Sequence, residues 1–305
     1  MASVTLAESA KLSQDMLLAG VIENVVTTNP IYNFMPFMDI EGNALTYNRE
    51  NALGDVQFAG VGTTITAKAA ATFSQVTTSL TTIIGDAEVN GLIQATRSNI
   101  TDQKATQIAS KAKSLARQYQ NTMVNGDGTS NSFTGLLSLV PAAQKVVTGA
   151  SGGPLSFAFL DELIDLVKSK DGQVDFIMMP GRTLRSYYTL LRGLGGASIG
   201  EVITLPDGRR IPTYRGIMIF QNDWIPVNQV KGAGSAQTTI FAGCFDDGSG
   251  KVGIAGLNAM GDSGIRVKNV GESETKDENI TRVLWYTSLA LFSGLGIASA
   301  DGITN

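Results

Sequence analysis

The sequence predicts an α+β fold, and three observations carry that prediction. A long amphipathic helix occupies about residues 100–124, helices and strands alternate from about Gly149 to Leu257, and two strand-like runs, 265–270 and 281–292, flank a charged turn near the end. Low charge accompanies this pattern. Only 16% of the 305 residues are charged, and glycine is abundant at 34 residues. A surface so poor in charge fits a subunit largely covered by neighbours, or an ordinary soluble domain with a neutral exterior.

Taken in order, the chain opens with Thr5-Leu6-Ala7-Glu8, a capping box, and Leu6, Met16, Leu17 and Val21 suggest a short amphipathic helix behind it. Asn29-Pro30 and Met35-Pro36 then interrupt regular structure. This reads as an N-terminal arm over 1–43 that has no core of its own and needs something else to pack on. From 44 to 85 an extended β-hairpin loop is expected. Tyr47-Asn48-Arg49-Glu50 leads into Gly54, Gly60 and Gly62, and a Thr-rich return follows through Phe73, Val76, Thr78, Leu80 and Thr82. With few large apolar residues such a hairpin is marginal alone, so it is either flexible or laid across another subunit.

The long helix shows Ile100, Ile108, Ala112, Leu115, Tyr119 and Met123 on one stripe, with Thr101 and Asp102 near its start. Lys104, Lys111, Lys113 and Arg117 lie off that stripe, as a solvated face or as a basic surface toward nucleic acid. Asn125-Gly126-Asp127-Gly128-Thr129 is expected to cap the helix through residues tolerant of positive φ, and Gly135-Leu136-Leu137 follows after a tight loop.

Beyond Gly149, Ser156 is placed to cap a helix carrying Phe157, Leu160, Leu163, Ile164 and Val167. A strand over 174–179, then Pro180-Gly181, leads to a helix through Leu184, Tyr187, Tyr188 and Leu191. Further strands are expected at 217–220, 239–245 and 251–257, all within one mixed α/β domain. The eighteen uncharged residues between Arg282 and Asp301 contain serines, Thr287 and glycines, and read as a buried strand followed by a Gly-rich turn rather than a membrane span.

Catalytic and metal chemistry finds little support. The chain has no histidine, which removes imidazole-based nucleophile activation and His-ligated zinc. Gly149-Ala150-Ser151-Gly152-Gly153 matches a nucleophile-elbow pattern but has no histidine to work with and reads as a loop. Ser110-Lys111-Ala112-Lys113 has the Ser-x-x-Lys spacing without its companion motifs. Gly193-Leu194-Gly195-Gly196 and Gly250-Lys251 are incomplete phosphate-loop patterns, and Asp246-Asp247-Gly248 reads as a turn rather than a cation site. The single cysteine, Cys244, allows no intrachain disulfide and is expected to be buried and inert. No catalytic, cofactor-binding or metal-binding residues are assigned. No secretory signal or membrane span is evident, and a net charge of −4 argues weakly against a general nucleic-acid binder.

The order of arm, extended loop, long helix with its Asn-Gly-Asp-Gly-Thr exit and late hairpin resembles the major capsid proteins of tailed bacteriophages, the HK97-like fold family. The resemblance covers nearly the whole chain. It implies an arm (1–43), an extended loop (44–85), a peripheral domain (86–145 and 262–292) built on the spine helix, and an axial domain (146–261 and 293–305). It implies a shell protein, not an enzyme, that self-assembles as hexamers and pentamers into an icosahedral capsid around double-stranded DNA, in a bacterial host cytoplasm. The implied partners are further copies, a portal, a separate scaffolding protein, a decoration protein, and packaged DNA contacted without sequence readout. The chain begins with the arm, so scaffolding is expected either as a separate protein or as a segment already removed. Some members of that family join a loop lysine to a neighbour's asparagine. Lys68, with Asn269 or Asn279, is the corresponding candidate, and a lysine that simply keeps the loop soluble is the alternative. An encapsulin-like bacterial compartment keeps the same fold with a protein cargo, and a soluble α/β enzyme using carboxylates is a further reading.

Overall fold

The computed structural model describes residues 29–97, 103–168, 172–193, 202–205, 208, 210–261 and 263–304. The capping box at Thr5, the apolar positions up to Val21, and Ile100, Thr101 and Asp102 lie outside these residues.

The chain enters through a 3-10 turn, Pro30–Asn33, whose N-cap Asn29 accepts from the Ile31 amide. It continues into β1 (Phe37–Ile40) and the hairpin β2 (Ala44–Ala52) and β3 (Thr72–Ser79). Strand β4 (Thr81–Asn90), the short helix α1 (Gly91–Arg97) and the spine helix α2 (Gln103–Asn125) follow, then α3 (Leu136–Leu139), β5 (Lys145–Val147) and β6 (Gly153–Pro154). Helix α4 (Phe157–Lys168), β7 (Phe176–Met179) and α5 (Gly181–Gly193) come next, and then β8 (Val202–Thr204), β9 (Arg210–Tyr214), β10 (Ile217–Gln221), β11 (Gln229–Lys231) and β12 (Gly234–Gly243). Strands β13 (Ile254–Ala259), β14 (Arg266–Glu272), β15 (Glu278–Leu291) and β16 (Ile297–Thr304) complete the described chain.

Among the described residues these strands form two large sheets and one hairpin. The first sheet has five strands centred on β15, which pairs antiparallel with β4 along one side and with β14 and then β13 along the other; β1 adds to β13 in parallel. The second runs β5-β16-β12-β7-β10-β9-β8, with β6 beside β16 and β11 beside β12. The link from β15 to β16, residues 292–296, is one of the places where the chain passes from one sheet to the other.

Strand β7 explains why 174–179 reads as an unbroken apolar run. All four of its residues are buried. Phe176 and Met178 face the spine-helix side with Phe220 and Phe241, while Ile177 and Met179 face α4 with Leu160, Leu163 and Ile164. A strand covered on both faces has no polar side to alternate with. Helix α4 begins as expected, with the Ser156 hydroxyl accepting from the Phe159 amide at 3.2 Å. On α2 the predicted stripe is the buried one. Leu115, Tyr119 and Met123 are buried against Trp285, Val283 and Leu289 of β15, with Ile108 and Ala112 partly covered.

Four expectations change. Residues 29–43 are not a coreless arm: Ile31, Met35 and Ile40 are buried within their own chain, and β1 is hydrogen-bonded into the first sheet. The Thr-rich return is two strands, divided at Leu80, with β3 in the hairpin and β4 in the five-stranded sheet. The strand expected at 251–257 begins at Ile254 and leaves the α/β part for the first sheet, where it pairs with β1 and β15. Residues 297–300, read as part of a Gly-rich turn, belong instead to β16 (Ile297–Thr304), an interior strand of the second sheet. No helix among the described residues is long and apolar enough to cross a membrane.

Candidate assembly interface

The hairpin of β2 and β3 carries a long exposed tip, residues 53–70, in which only Gln57 and Ala67 are partly covered. Its strands pair from Ala44↔Ser79 to Ala52↔Thr72, and the Leu80 amide closes the base on the Asn43 carbonyl at 2.9 Å. The base is held down by an apolar cluster in which Leu45, Tyr47 and Leu80 pack against Ile40, Leu257, Ala290 and Phe292. The tip has no such cover. Val56, Phe58 and Val61 are essentially fully exposed, at 94%, 107% and 111% of their reference areas. The tip is nonetheless folded. The Gln57 side-chain oxygen accepts from the Thr66 amide, the Thr66 hydroxyl and the Ala67 amide, each at 2.8 Å, and the Gln57 amide nitrogen donates to the Thr64 carbonyl at 3.2 Å. Nothing in the sequence singled out Gln57. One polar side chain bonding three donors nine and ten residues away is a tertiary arrangement with no local pattern.

At the far end of α2, the exit loop is built around Asp127. Its carboxylate accepts from the Thr129 amide (2.9 Å), the Thr129 hydroxyl (2.5 Å) and the Ser132 hydroxyl (3.0 Å). Those bonds, the Thr129 hydroxyl first, hold its pKa down at about 2. Asn125 donates to Asn121 on its own helix and to the Trp224 carbonyl at 2.9 Å, tying the helix end to the second sheet's β10–β11 connection. The expected positive φ does not fall at Asn125 or Gly126. It falls at Gly128, Ser130 and Asn131. Gly126 is there for space, because a Cβ on it would overlap the Phe133 carbonyl oxygen. Phe133 and Leu136 then enter the core beside Tyr119.

The spine-helix cations are neither a bare solvated face nor an open basic surface. Lys104 donates to the Asn279 side-chain oxygen at 2.8 Å, Arg117 lies 5.0 Å over the Trp224 ring, and Lys111 is one of the charges that lower the Asp86 pKa, after the bidentate Arg282. Lys104 ties the helix to β15 and Arg117 ties it to the β10–β11 connection, while Lys111 stays exposed. Asp86 and Arg282 themselves join β4 to β15 through two 2.8 Å bonds.

The remaining candidates scatter. Lys68 and Asn269 are exposed on the hairpin tip and on β14, while Asn279 is taken by Lys104. Asp246 is 93% buried, with its carboxylate accepting from the amides of Gly248, Gly250 and Val252. That is a loop anchor whose lone pairs are spent on backbone. The Ser151 carbonyl accepts from Gln237, and Gly149 and Gly152 both take positive φ in a turn. Ser110 and Lys111 lie on the α2 surface, and Gly193 ends α5, with Leu194 to Gly196 outside the described residues. Cys244 is buried, as expected, and burial pushes its thiol up to about 11. Among the described residues no three acidic or cysteine side chains gather as a metal site.

Comparison with known proteins accounts for this arrangement. A family model described as the phage capsid family matches residues 12–243. The chain belongs to the phage capsid family. As a member it is a shell-forming structural protein, and its architecture is the HK97-like capsid fold. Solved structures over its full length share that fold. The SrpI encapsulin complex of Synechococcus elongatus PCC 7942 aligns with a TM-score of 0.75 at 16% identity, over 99% of this capsid-family chain and 96% of the other. The capsid of a native GTA particle gives 0.71 at 15% identity over all of both chains. The capsid of cyanophage A-1(L) gives 0.71 at 12% identity, over 99% and 100%. No curated protein matches the chain.

Proposed function

We propose that this chain is the major capsid protein of a tailed phage, gathered as hexamers and pentamers into an icosahedral shell around double-stranded DNA. The shell is built in the bacterial host cytoplasm and persists in the virion. The observation that carries this reading is the hairpin, anchored at its base and presenting Val56, Phe58 and Val61 to solvent on a folded tip. Apolar surface displayed on an arm with no core beneath it is stabilised only when a second molecule covers it, at roughly 25 cal/mol per Å² removed from water. The covering surface is a neighbouring copy.

The domain division that goes with this reading has an arm (1–43), an extended loop (44–85), a peripheral domain (86–145 and 262–292) and an axial domain (146–261 and 293–305). The strand pairings and burial support three adjustments: counting residues 29–43 with the peripheral part, ending the loop at Leu80, and counting β13 with the peripheral part. A portal, a separate scaffolding protein and a decoration protein are the further partners. DNA would be met without sequence readout, and with little help from Lys104 and Arg117, which are engaged within the subunit.

A second reading, an encapsulin-like compartment, is favoured by one feature. A groove of about 600 Å³ runs between the 3-10 turn and the spine helix, lined by Tyr32, Phe37, Tyr119, Ile265 and Trp285, and would accept an apolar cargo peptide. Purified particles separate the two readings. Nuclease-protected DNA inside them supports the capsid, and a protein cargo without DNA supports the compartment. A chain that stays a compact monomer under all assembly conditions would favour the enzyme reading over both.

A further inference from the structure

Tyr47 and Arg49, two apart on β2, project from one face of the hairpin and converge on the same short stretch of backbone. The Tyr47 hydroxyl donates to the Leu291 carbonyl at 2.6 Å. Arg49 donates from Nη2 to that same oxygen at 2.7 Å and from Nε to the Phe292 carbonyl at 3.0 Å. The Tyr47 ring meets the Phe292 ring edge-on with centroids 5.3 Å apart, and the Arg49 guanidinium sits 6.0 Å from the Tyr47 ring. Leu291 ends β15 and Phe292 begins the link to β16, so the oxygens being grasped lie where the chain leaves one sheet for the other. The link is pinned on its other side as well, since the Phe292 amide donates to the Gly253 carbonyl at 3.0 Å.

The apolar cluster at the hairpin base holds it down but does not aim it, because hydrophobic contact is non-directional. A planar guanidinium bonding two successive carbonyls is directional, and a lysine head group cannot reproduce its fork.

We propose that Arg49, with Tyr47, is a positioning residue: it sets the angle of the extended hairpin against the β15–β16 crossover. Each subunit therefore presents its tip at one place, and a shift between the two sheets is passed to the hairpin. The consequence for assembly rests on the shell-forming reading, but the positioning itself belongs to the single subunit.

The test uses the full chain in its dissociated state, spin-labelled at Gln75→Cys on β3 and Ser110→Cys on the spine helix, with the buried Cys244 left in place. Pulsed electron resonance should give one distance in the parent and in Thr46→Val, which removes only the cross-strand bond to Thr77. Arg49→Lys and Tyr47→Phe should spread that distance into several while leaving the thermal midpoint near that of the parent. Retention of the single parental distance in Arg49→Lys and Tyr47→Phe overturns the proposal. Under assembly conditions the same variants should give fewer and less uniform shells. If the parent forms no shells even with a scaffolding protein supplied, the shell-forming reading fails, while the distance measurement still decides the role of Arg49.

Discussion

Gly126 and Gly135 lie back to back where the spine helix gives way to the rest of the subunit. The Gly135 amide donates to the Gly126 carbonyl at 2.8 Å, and a Cβ on Gly135 would stand 2.5 Å from the Thr122 carbonyl oxygen. The neighbours are backbone atoms, so no side chain can swing away. Gly126→Ala and Gly135→Ala should each cost about 3 kcal/mol, at the upper end of overpacking penalties. Urea unfolding followed by Trp fluorescence measures this, and a parental midpoint in either variant contradicts the close approach.

Asp127 makes the exit loop sensitive to acid. Its folded pKa of about 2 lies below the ordinary 3.8, so its contribution is complete above 3.8 and is lost as pH falls toward 2. Asp127→Asn should therefore flatten the acid limb of the stability curve across that window and leave its shape near neutrality unchanged. The check is the thermal midpoint of both proteins measured through the window. Parallel curves would mean that Asp127 carries no such linkage.

Cys244 should resist alkylation in the native subunit. Burial, reinforced by the nearby Asp175 charge, raises its thiol to about 11, so very little thiolate exists at pH 8. Iodoacetamide labelling followed by mass spectrometry should show reaction only after denaturant is added. Rapid labelling of the folded chain would place the residue at an accessible surface instead.

Phe58 separates folding from assembly. Because its side chain touches nothing in its own chain, Phe58→Ser should leave subunit stability within about 0.5 kcal/mol. If a neighbour buries the ring, the loss of about 2 kcal/mol per contact should raise the concentration needed for assembly more than about tenfold. Light scattering against subunit concentration reads this directly. An unchanged threshold would show that the tip stays in solvent.

Much of the local structure was legible before the fold was known. The stripe from Ile108 to Met123, the Ser156 cap and the β14–β15 hairpin all follow from periodicity or capping chemistry, which act over a few residues. What stayed hidden was non-local. The residues from Ile254 read as a strand in any sheet, and only pairing with β1 and β15 assigns them to the first. Ile31 and Met35 sit in a short apolar stretch between prolines, yet both are buried in the cluster that joins the spine helix to the two sheets. The assembly surface followed the same division. Its extended loop was visible in the glycines and threonines, but Gln57 at the tip and Arg49 at the base act on atoms that sequence spacing does not bring together.

Cryo-electron microscopy of the purified full-length chain under assembly conditions tests the central claim most directly. The account predicts closed icosahedral shells in which each Phe58 is buried on an adjacent subunit. Monomers or small oligomers alone even when a scaffolding protein is supplied, or shells with Phe58 left in solvent, would contradict it.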